Sequence, residues 1–317
     1  MPDAILWFVP DPVLRVWTAA TEMAGRREVR RLVLALALLL AAAAYIRFMA
    51  DIFRGDAYGY WESIRRSVLY ITALDTAPHG YLYSPAFIQI LWPLFSLPWE
   101  IFYGIWLALL TVTLLWIARP WLSLAIFAPI FVTFGIGLLL VPRHSLASGN
   151  IYLFMGLAVV AGFRWPSTYA FLLLTKVTPA VGLLWFIVRR EWRNLAIALG
   201  TTAAIVAVSF AFSSNLWFDW LTVLKQNSGY GEPAFAIHFL PLIPRLAIAV
   251  VLTIVAAHYN ARWVLPIATV LALPYIADTG LIILVCVAPL LRHDAWTESR
   301  ARLAEDETTP LSAAPAA

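Results

Sequence analysis

Apolar stretches follow one another almost without interruption from residue 32 to residue 291, and this pattern limits the possible folds more than any other feature of the chain. Hydrophobic residues make up 62% of the 317 residues and charged residues only 13%, whereas soluble domains are about half apolar and a quarter charged. One membrane-spanning helix needs about 20 apolar residues, so the chain has room for at most roughly ten to twelve spans. The composition predicts an all-α, polytopic membrane protein.

The charges and the single cysteine exclude several other classes of protein. The net charge of +4 comes from arginines and lysines spread along predicted loops, with no basic stripe, so we expect membrane lipids as surroundings and no nucleic-acid partner. Cys286 is the only cysteine, which rules out an internal disulfide and a cysteine-based metal site. Phosphate-binding loops, zinc-binding HExxH patterns and a closely spaced acidic pair in the first outer loop are absent as well. We therefore expect no metal ion and no cofactor.

The order of the segments predicts about ten transmembrane helices with both chain ends in the cytoplasm. Residues 1–31 end in a basic cluster and are predicted to be a cytoplasmic segment. Residues 32–291 form the transmembrane domain, with long outer loops at 50–84 and 213–240, and the polar tail 292–317 is predicted to be disordered. The predicted spans are 32–49, 85–97, 101–117, 121–140, 151–162, 169–188, 195–212 and 241–257, and then two short helices within 263–291, separated by a break at 274–280. This order puts the connection 141–150 in the cytoplasm and Arg164 outside.

The first outer loop is too long, too charged and too aromatic to serve only as a connection. Within it, apolar residues recur at helical spacing opposite a charged face, which predicts an interfacial helix parallel to the membrane. The apolar face consists of Trp61, Ile64, Val68 and Ile71, and the charged face of Glu62, Arg65 and Arg66. The loop is predicted to form the roof of an active site at the outer membrane face.

Asp56 is the first candidate for chemistry. It follows the first predicted span and so lies near the boundary between lipid and water, where partial desolvation raises the basicity of a carboxylate. Such a group can accept the proton of an incoming hydroxyl. A helix N-cap and a solvated loop acid are the alternatives, and Asp51 competes at a similar depth.

Lys176 is the second candidate, because an ionisable residue inside a predicted span indicates a functional site. Pro179 would open the backbone beside it and make room for a polar group. The resulting hypothesis is a contact with a phosphate. Snorkelling to the membrane surface or pairing with a carboxylate is the alternative.

Three further ionisable residues lie near the predicted outer ends of spans. His238 and Arg245 flank the start of the eighth span, where contact with a lipid phosphate and a role as interface anchor explain them equally well. Asp278 lies in the break of the last apolar stretch, either as a buried functional acid or as a helix cap. A polar set in the connection 141–150 would be structural if that connection is cytoplasmic: Arg143, His144 and Asn150.

Four motif-bearing segments occur in a fixed order along the chain. They are DAYGYWESIRRSV at 56–68, YLYSPAFIQILWPLFSLP at 81–98, SGNIYLFMGLAVVAGFR at 148–164 and LLLTKVTPAVGLLWFIVRREWR at 172–193. The set resembles glycosyltransferase family 87: its Asp-x-x-x-Tyr-Trp segment, its Tyr-Pro-Pro re-entry with a Pro-Leu-x-x-Leu-Pro break, its Gly-Gln-x-Asn segment and its Lys-x-Thr-Pro span. The resemblance covers most of residues 50–195, and the C-terminal third is similar only in general pattern.

The resemblance implies a C-type glycosyltransferase fold in a bacterial plasma membrane, with the active site on the extracytoplasmic side. Members of this family take a sugar, mannose in the best-known ones, from a polyprenyl-phosphate donor and transfer it to a lipid-linked or envelope-glycan acceptor. The transfer would be inverting, with Asp56 as general base and Lys176 near the donor phosphate. Tyr60 and Tyr83 would belong to the substrate site, and the polyprenyl tail would lie in a groove between short spans.

Two departures from the family pattern leave other functions open. Ser84 stands in place of the first proline of Tyr-Pro-Pro, and the Ser148-Gly149-Asn150 segment lacks the glutamine of Gly-Gln-x-Asn. One alternative is a catalytically inactive relative that acts as a membrane partner or lipid-binding subunit. A transporter of lipid-linked sugars is a third interpretation, which the lack of an internal repeat does not support.

Overall fold

A computed structural model of the chain describes residues 55–70, 81–118, 146, 148–227 and 240–291. These residues belong to one compact unit, Phe53–Ala317, and the second unit, Met1–Ile52, lies outside the described residues. Several predicted features also lie outside them: the N-terminal segment, the first and fourth spans, Asp51, Arg143, His144, His238 and the tail 292–317.

Every element in the described part of the chain is helical, which agrees with the all-α prediction. The α-helices are α1 (Asp56–Ser63), α2 (Pro85–Phe95), α3 (Trp99–Ala118), α4 (Tyr152–Gly162), α5 (Tyr169–Thr175), α6 (Leu183–Val188), α7 (Trp192–Phe212), α8 (Ser214–Asn227), α9 (Leu242–His258) and α10 (Leu265–Leu271). Shorter-pitched 3₁₀ helices cover Pro166–Thr168, Thr178–Gly182, Arg262–Val264 and Asp278–Cys286.

Among the described helices, α3 and α7 are long and apolar enough to cross a membrane. Their apolar stretches, Trp99–Ile117 and Trp192–Phe212, have 19 and 21 residues with mean hydropathies of 1.8 and 2.2. Large apolar side chains remain uncovered on both helices, such as Val112 at 64% and Phe212 at 80% exposure. Contiguous apolar faces of this kind are typical of surfaces that contact lipid or another protein. The length and hydropathy of the two helices favour contact with lipid.

The predicted second span is a short helix that does not cross the membrane. The 11 residues of α2 give a length of about 16 Å, against a hydrocarbon core of about 30 Å. The Tyr60 ring of α1 lies 6.0 Å from the Phe87 ring and 6.4 Å from the Phe95 ring, so α1 contacts α2 near both of its ends. The prediction of a span here was wrong because the re-entering chain turns back after three helical turns.

The predicted sixth span is likewise two short helices that fold back on each other. Helix α5 ends before Lys176, which has an extended backbone with φ −140° and ψ 108°, and the next helix contains Pro179 in its first turn. Tyr169, at the start of α5, packs against Gly182 and lies edge-on to Phe186 with ring centroids 5.6 Å apart. Pro179 lacks the backbone N–H that a continuous helix needs. Lys176 therefore lies at the tip of a helical hairpin and not at the middle of a span.

The last apolar stretch breaks where the sequence predicts. Helix α10 ends at Leu271, and the following 3₁₀ helix begins at Asp278. Arg245 of α9 fixes this break, because its guanidinium donates hydrogen bonds to the carbonyls of Leu271, Leu273 and Pro274 at 2.8–3.1 Å. The carbonyls that α10 leaves unpaired at its C-terminus thus find a cationic donor.

Arginines gather at the end of the short helices that lies away from Asp56. The Arg262 guanidinium lies 5.1 Å from the Phe163 ring, and Phe163 packs edge-on against Trp185. Arg189 lies over the other side of this group, 5.4 Å from the Trp185 ring. Arg164 follows Phe163 in the chain and so belongs to this basic end, together with residues that the sequence places in cytoplasmic loops. Its assignment to the opposite side was wrong, because the short helix α2 changes the side of the connections that follow it, up to the α5–α6 hairpin.

A helix forms within the first predicted outer loop, but its bounds and its packed face differ from the prediction. Helix α1 covers Asp56–Ser63 and buries Ala57, Gly59, Tyr60 and Ser63. Val68 lies beyond the helix and is 60% exposed. Arg65 follows the helix, and its guanidinium donates to the carbonyls of Trp61, Phe95 and Leu97. The face that contains Tyr60 packs against the protein because that ring has several aromatic partners. The predicted face, with Trp61 and Ile64, has fewer.

Part of the second predicted outer loop is helical and lies beside the first. Helix α8 follows directly on α7, and its Trp217 indole donates to the Ser209 hydroxyl at 3.0 Å. The Trp220 indole donates to the Leu82 carbonyl at 3.0 Å. The described parts of the two predicted outer loops thus share one end of the molecule.

Candidate active site

Asp56 lies in the first turn of α1 and is held by a side chain from a distant part of the chain. The Asn150 amide donates a hydrogen bond from Nδ2 to Asp56 Oδ2 at 2.7 Å, across 94 residues of sequence. The other end of the same amide, Oδ1, accepts the backbone N–H of Tyr152 at 3.0 Å. Because the two bonds require opposite ends of the amide, they fix its orientation, and the carboxylate receives the N–H donor.

Two glycines make this approach possible. A Cβ atom on Gly55 would lie 2.7 Å from the Ser148 Cα, and one on Gly149 would lie 2.4 Å from the Ala57 Cβ. Gly149 also has φ +70°, which strains any residue with a side chain. The Gly149 carbonyl in turn accepts the Trp106 indole N–H at 2.7 Å. The short segment Ser148–Asn150 therefore fits closely against the start of α1.

This contact corrects the predicted place of the segment before α4. The sequence put the connection 141–150 on the opposite side of the membrane from Asp56 and treated Asn150 as structural. Hydrogen bonding between Asn150 and Asp56 puts both at the same end. The error has the same cause as that at Arg164: α2 is too short to cross, so α3 is the first described helix that can carry the chain to the other side.

Tyr60 and Tyr83 form a hydroxyl pair beside Asp56. Their oxygens are 3.1 Å apart, and their rings contact edge to face with centroids 5.5 Å apart. Burial, followed by the charges of neighbouring groups that include Asp56, raises the pKa of both phenols well above the ordinary value. Both tyrosines therefore stay neutral at physiological pH and can donate or accept hydrogen bonds, but they cannot act as bases.

Lys176 reaches the same region from the tip of the α5–α6 hairpin. Its ammonium donates to the Tyr152 hydroxyl at 2.7 Å and lies 4.1 Å from the centre of the Tyr152 ring. The Tyr275 ring approaches it from the second chain break, at 5.3 Å. Two aromatic faces and a hydroxyl stabilise this half-buried cation at the hairpin tip.

Asp56 is the electrostatic centre of this group. Its carboxylate interacts with the ammonium of Lys176 and with three phenols, those of Tyr60, Tyr83 and Tyr275. An acid and a cation thus lie within electrostatic reach of each other beside a cluster of tyrosines. A carboxylate can act as a general base, and a nearby cation can stabilise developing negative charge.

The other predicted substrate-binding residues have different positions. Arg245 is 1% exposed, and in addition to the three carbonyls of the break it donates from Nε to the Leu240 carbonyl at 2.6 Å. These bonds support a structural role and give no support to the expected contact with a lipid phosphate. Asp278 is the first residue of the helix Asp278–Cys286 and comes three residues after Tyr275, and its contact with substrate stays a prediction. So does that of His238, which lies outside the described residues.

Ser84, which departs from the family pattern, keeps a backbone that proline could adopt. Its φ is −60° and its ψ is 157°, within the range that a proline ring allows. The Ser84 N–H, which a proline would lack, donates to the Leu174 carbonyl at 3.1 Å. This bond joins the start of α2 to the end of α5, two residues before Lys176. The serine is therefore compatible with a proline-like backbone at this position and adds a hydrogen bond between the two segments.

An apolar groove of about 760 Å³ lies between helices α2, α3, α4, α5 and α7. One end is walled by Phe87 and Thr175, which neighbour Tyr83 and Lys176. The other end reaches Trp165, beside Arg164 at the basic end. Its volume is that of a small-molecule site, and its lining is almost wholly aliphatic and aromatic. A long hydrocarbon could lie in it with its polar head at Lys176.

Sequence reasoning missed two members of the site and misjudged a third. Tyr152 and Tyr275 lie beside a Ser-Gly-Asn turn and a Pro-Tyr break, the kind of interruption that marks a binding site in a membrane protein. Asn150 was assigned a structural role because of its predicted side of the membrane. Among the described residues, no three His, Cys, Asp or Glu side chains come together as a metal site.

These observations define the class of protein as an α-helical membrane protein with an acid, a cation and a cluster of tyrosines at the breaks of short helices. No curated protein and no solved structure is a significant match to the chain. The family model of glycosyltransferase family 87 matches residues 81–237, and the chain belongs to this family. It is therefore a membrane glycosyltransferase. The matched range contains Tyr83, Asn150 and Lys176, and Asp56 precedes it.

Proposed function

We propose that the protein transfers a sugar, with mannose as the first expectation, from a polyprenyl-phosphate donor to a lipid-linked or envelope-glycan acceptor. The observation that carries this proposal is the placement of Asp56, held by Asn150, within electrostatic reach of the Lys176 ammonium. The donor and acceptor classes follow from the family resemblance, and the geometry supplies a group for each step.

The reaction is a single displacement with inversion at the anomeric carbon. The acceptor hydroxyl oxygen forms a bond to that carbon while the bond from the carbon to the phosphate oxygen breaks. The bonding electron pair leaves with the phosphate, and the hydroxyl proton passes to the Asp56 carboxylate. Asp56 is suited to this role because the neighbouring phenols of Tyr60 and Tyr83 stay neutral and so leave the carboxylate as the base.

Lys176 is placed to stabilise the negative charge that builds up on the leaving phosphate. Its hairpin tip has an extended backbone, and rings from Tyr152 and Tyr275 hold the ammonium from two sides. A fixed cation in a site of low dielectric stabilises a developing anion far better than one in water. The groove that begins at Thr175 would take the polyprenyl tail, since it starts one residue from Lys176 and has an apolar lining.

The distribution of charge supports a site on the extracytoplasmic side of a bacterial plasma membrane. Arg164, Arg189, Arg190, Arg193 and Arg262 lie at or beside the end opposite to Asp56 and Lys176. Arginines of short loops concentrate on the cytoplasmic side of membrane proteins. By this rule the basic end faces the cytoplasm, and the acceptor sugar approaches Asp56 from outside.

A transfer assay tests the proposal. Purified protein in nanodiscs is given radiolabelled polyprenyl-phosphate mannose and a lipid-acceptor extract, with and without EDTA. Replacement of Asp56 by Asn should lower transfer on the order of 10²- to 10⁴-fold, because it removes the base and keeps the shape. Asp219→Asn is the matched control, since Asp219 is an exposed acid of α8. Lys176→Gln should lower kcat and weaken inhibition by free polyprenyl phosphate.

The alternatives give different results in the same experiment. Full activity of Asp56→Asn would remove Asp56 as the base. Absence of transfer with mannose, and then with arabinose and glucose donors, would favour an inactive relative that binds lipid or a partner. Counterflow of labelled lipid-linked sugar across proteoliposomes without transfer would favour a transporter.

A further inference from the structure

We propose that Asn150 is a positioning residue that sets the orientation and the proton affinity of Asp56 during transfer. This inference rests on the proposed function and adds to it a residue that the reaction does not touch. Asn150 is 7% exposed, and both ends of its amide form hydrogen bonds, one with Asp56 and one with the Tyr152 backbone.

Asn150 donates one hydrogen bond and accepts another, and neither aspartate nor serine could form both at this position. Aspartate could accept the Tyr152 N–H but could not donate to Asp56 when ionised. Serine could accept the same N–H, but its shorter side chain would not reach the carboxylate. An amide at this position therefore does two things: it starts α4, and it directs an N–H donor at one oxygen of the base.

The donor also favours the ionised form of Asp56, which is the form that accepts a proton. Several other groups face the same carboxylate: Tyr60 on its own helix, Tyr83 before α2, Lys176 at the hairpin tip and Tyr275 in the second break. Lys176 and Asn150 both stabilise the negative charge, Lys176 through its ammonium and Asn150 through a direct N–H donor. Loss of the Asn150 donor removes one of these contributions.

Asn150 further links the base to the phosphate side of the site. Its Oδ1 fixes the backbone at Tyr152, and the Tyr152 hydroxyl accepts from Lys176 at 2.7 Å. The acid and the cation are thus positioned from the same turn at the start of α4. A change at Asn150 is expected to affect the chemical step more than the binding of either substrate.

The test compares Asn150→Asp, Asn150→Ser and Asn150→Ala in the transfer assay over a range of pH. Each should lower kcat on the order of 10- to 100-fold, as expected for a misplaced catalytic group, with a smaller change in KM for the donor. The acid limb of the kcat profile should move about one to two pH units upwards in the serine and alanine variants, the amount that one hydrogen bond to a charged group represents. Asn150→Asp should show at least that shift, because two carboxylates then face each other.

Asn194 provides the matched control. Its amide donates to Glu191 Oε2 at 2.8 Å at the basic end, so Asn194→Asp and Asn194→Ala remove the same kind of bond away from the site. These variants should keep the wild-type kcat and pH profile. Thermal unfolding of every variant shows how much protein is folded, and kcat is expressed per folded molecule.

Two results would overturn the inference. If Asn150→Asp and Asn150→Ser show the wild-type kcat and pH profile while Asp56→Asn is inactive, Asn150 does not act through Asp56 and the base assignment stands. If they unfold at lower temperature but keep both kinetic properties, Asn150 only stabilises the start of α4. Activity in Asp56→Asn would instead refute the proposed base, which distinguishes the failure of that proposal from the failure of this one.

Discussion

Substitution of Gly149 by alanine tests whether the close fit between the Ser148–Asn150 segment and α1 determines activity. Alanine at φ +70° costs about 1–2 kcal/mol. Its Cβ would lie 2.4 Å from the Ala57 Cβ, whereas carbon atoms in contact are about 3.5–4.0 Å apart. The two segments would have to separate by about 1 Å, and such overpacking costs roughly 1–3 kcal/mol. We expect a total loss of about 2–5 kcal/mol in the free energy of unfolding.

The same displacement should reduce transfer strongly, because Asn150 is the next residue and carries the hydrogen bond to Asp56. A shift of about 1 Å in a catalytic group can cost about 100-fold in rate. The measurements are the thermal unfolding temperature in detergent and kcat per folded molecule. Gly200→Ala is the control, since no atom lies within 4 Å of its Cβ position inside α7, and it should leave activity unchanged and stabilise by about 0.5–1 kcal/mol.

A double-mutant cycle with Ala57→Gly separates the steric part from the backbone strain. In the Ala57→Gly background the Cβ of residue 149 meets no Cβ at position 57, so Gly149→Ala should cost less than it does alone, and the coupling should be favourable. The strain at φ +70° remains in both backgrounds. Wild-type stability and activity of Gly149→Ala, or additivity in the cycle, would refute the proposed contact.

Two further substitutions test neighbouring parts of the site. Arg245→Met removes four described hydrogen bonds to carbonyls and should lower the free energy of unfolding by more than about 3 kcal/mol. The control Arg193→Met, at an exposed position of the basic end, should change it by less than about 0.5 kcal/mol. Equal effects would contradict the structural role of Arg245. Ser84→Pro loses one hydrogen bond, worth about 0.5–1.5 kcal/mol. Proline also lowers the conformational entropy of the unfolded chain, which stabilises the folded state by about 0.4–1 kcal/mol. Chemical denaturation should therefore show a change in the free energy of unfolding within about 1 kcal/mol, and transfer should persist. A large gain in transfer would mean that the serine had weakened the enzyme.

The sequence was informative where a feature depends on neighbouring residues. The Pro274 region predicts a break in an apolar stretch, and the chain breaks there. Pro179 predicts a local opening of the backbone, and the chain interrupts its helix just before it. Arginine-rich turns predict one basic end, and Arg189 and Arg262 lie there together. These features follow from missing backbone donors and from the cost of burying charge, both of which act within a few residues.

The sequence failed where a feature depends on partners far along the chain. Hydropathy shows that residues 85–97 are apolar, but it does not show that α2 packs along α1 and turns back. That one misjudged helix reversed the side of the connections before the α5–α6 hairpin, so Asn150 was separated from Asp56 although the two side chains are 2.7 Å apart. Gly55 and Gly149 were visible in the sequence as small residues. They indicate a close approach of two segments only when it is known that these two segments pack against each other.

The short helices explain how a polar site can exist at the depth of an apolar fold. A continuous span would leave Lys176 facing lipid or another helix, whereas the hairpin tip and the break before Asp278 each free backbone groups that must find partners inside the protein. Arg245 satisfies the carbonyls of the second break, and the Ser84 N–H satisfies the Leu174 carbonyl near the first. Both contacts are structural, yet each lies within a few residues of a group that faces Asp56. The arrangement of the site therefore depends on how the breaks are closed, and substitutions at Ser84 or Arg245 should change the position of Lys176 or Tyr275 before they change the chemistry itself.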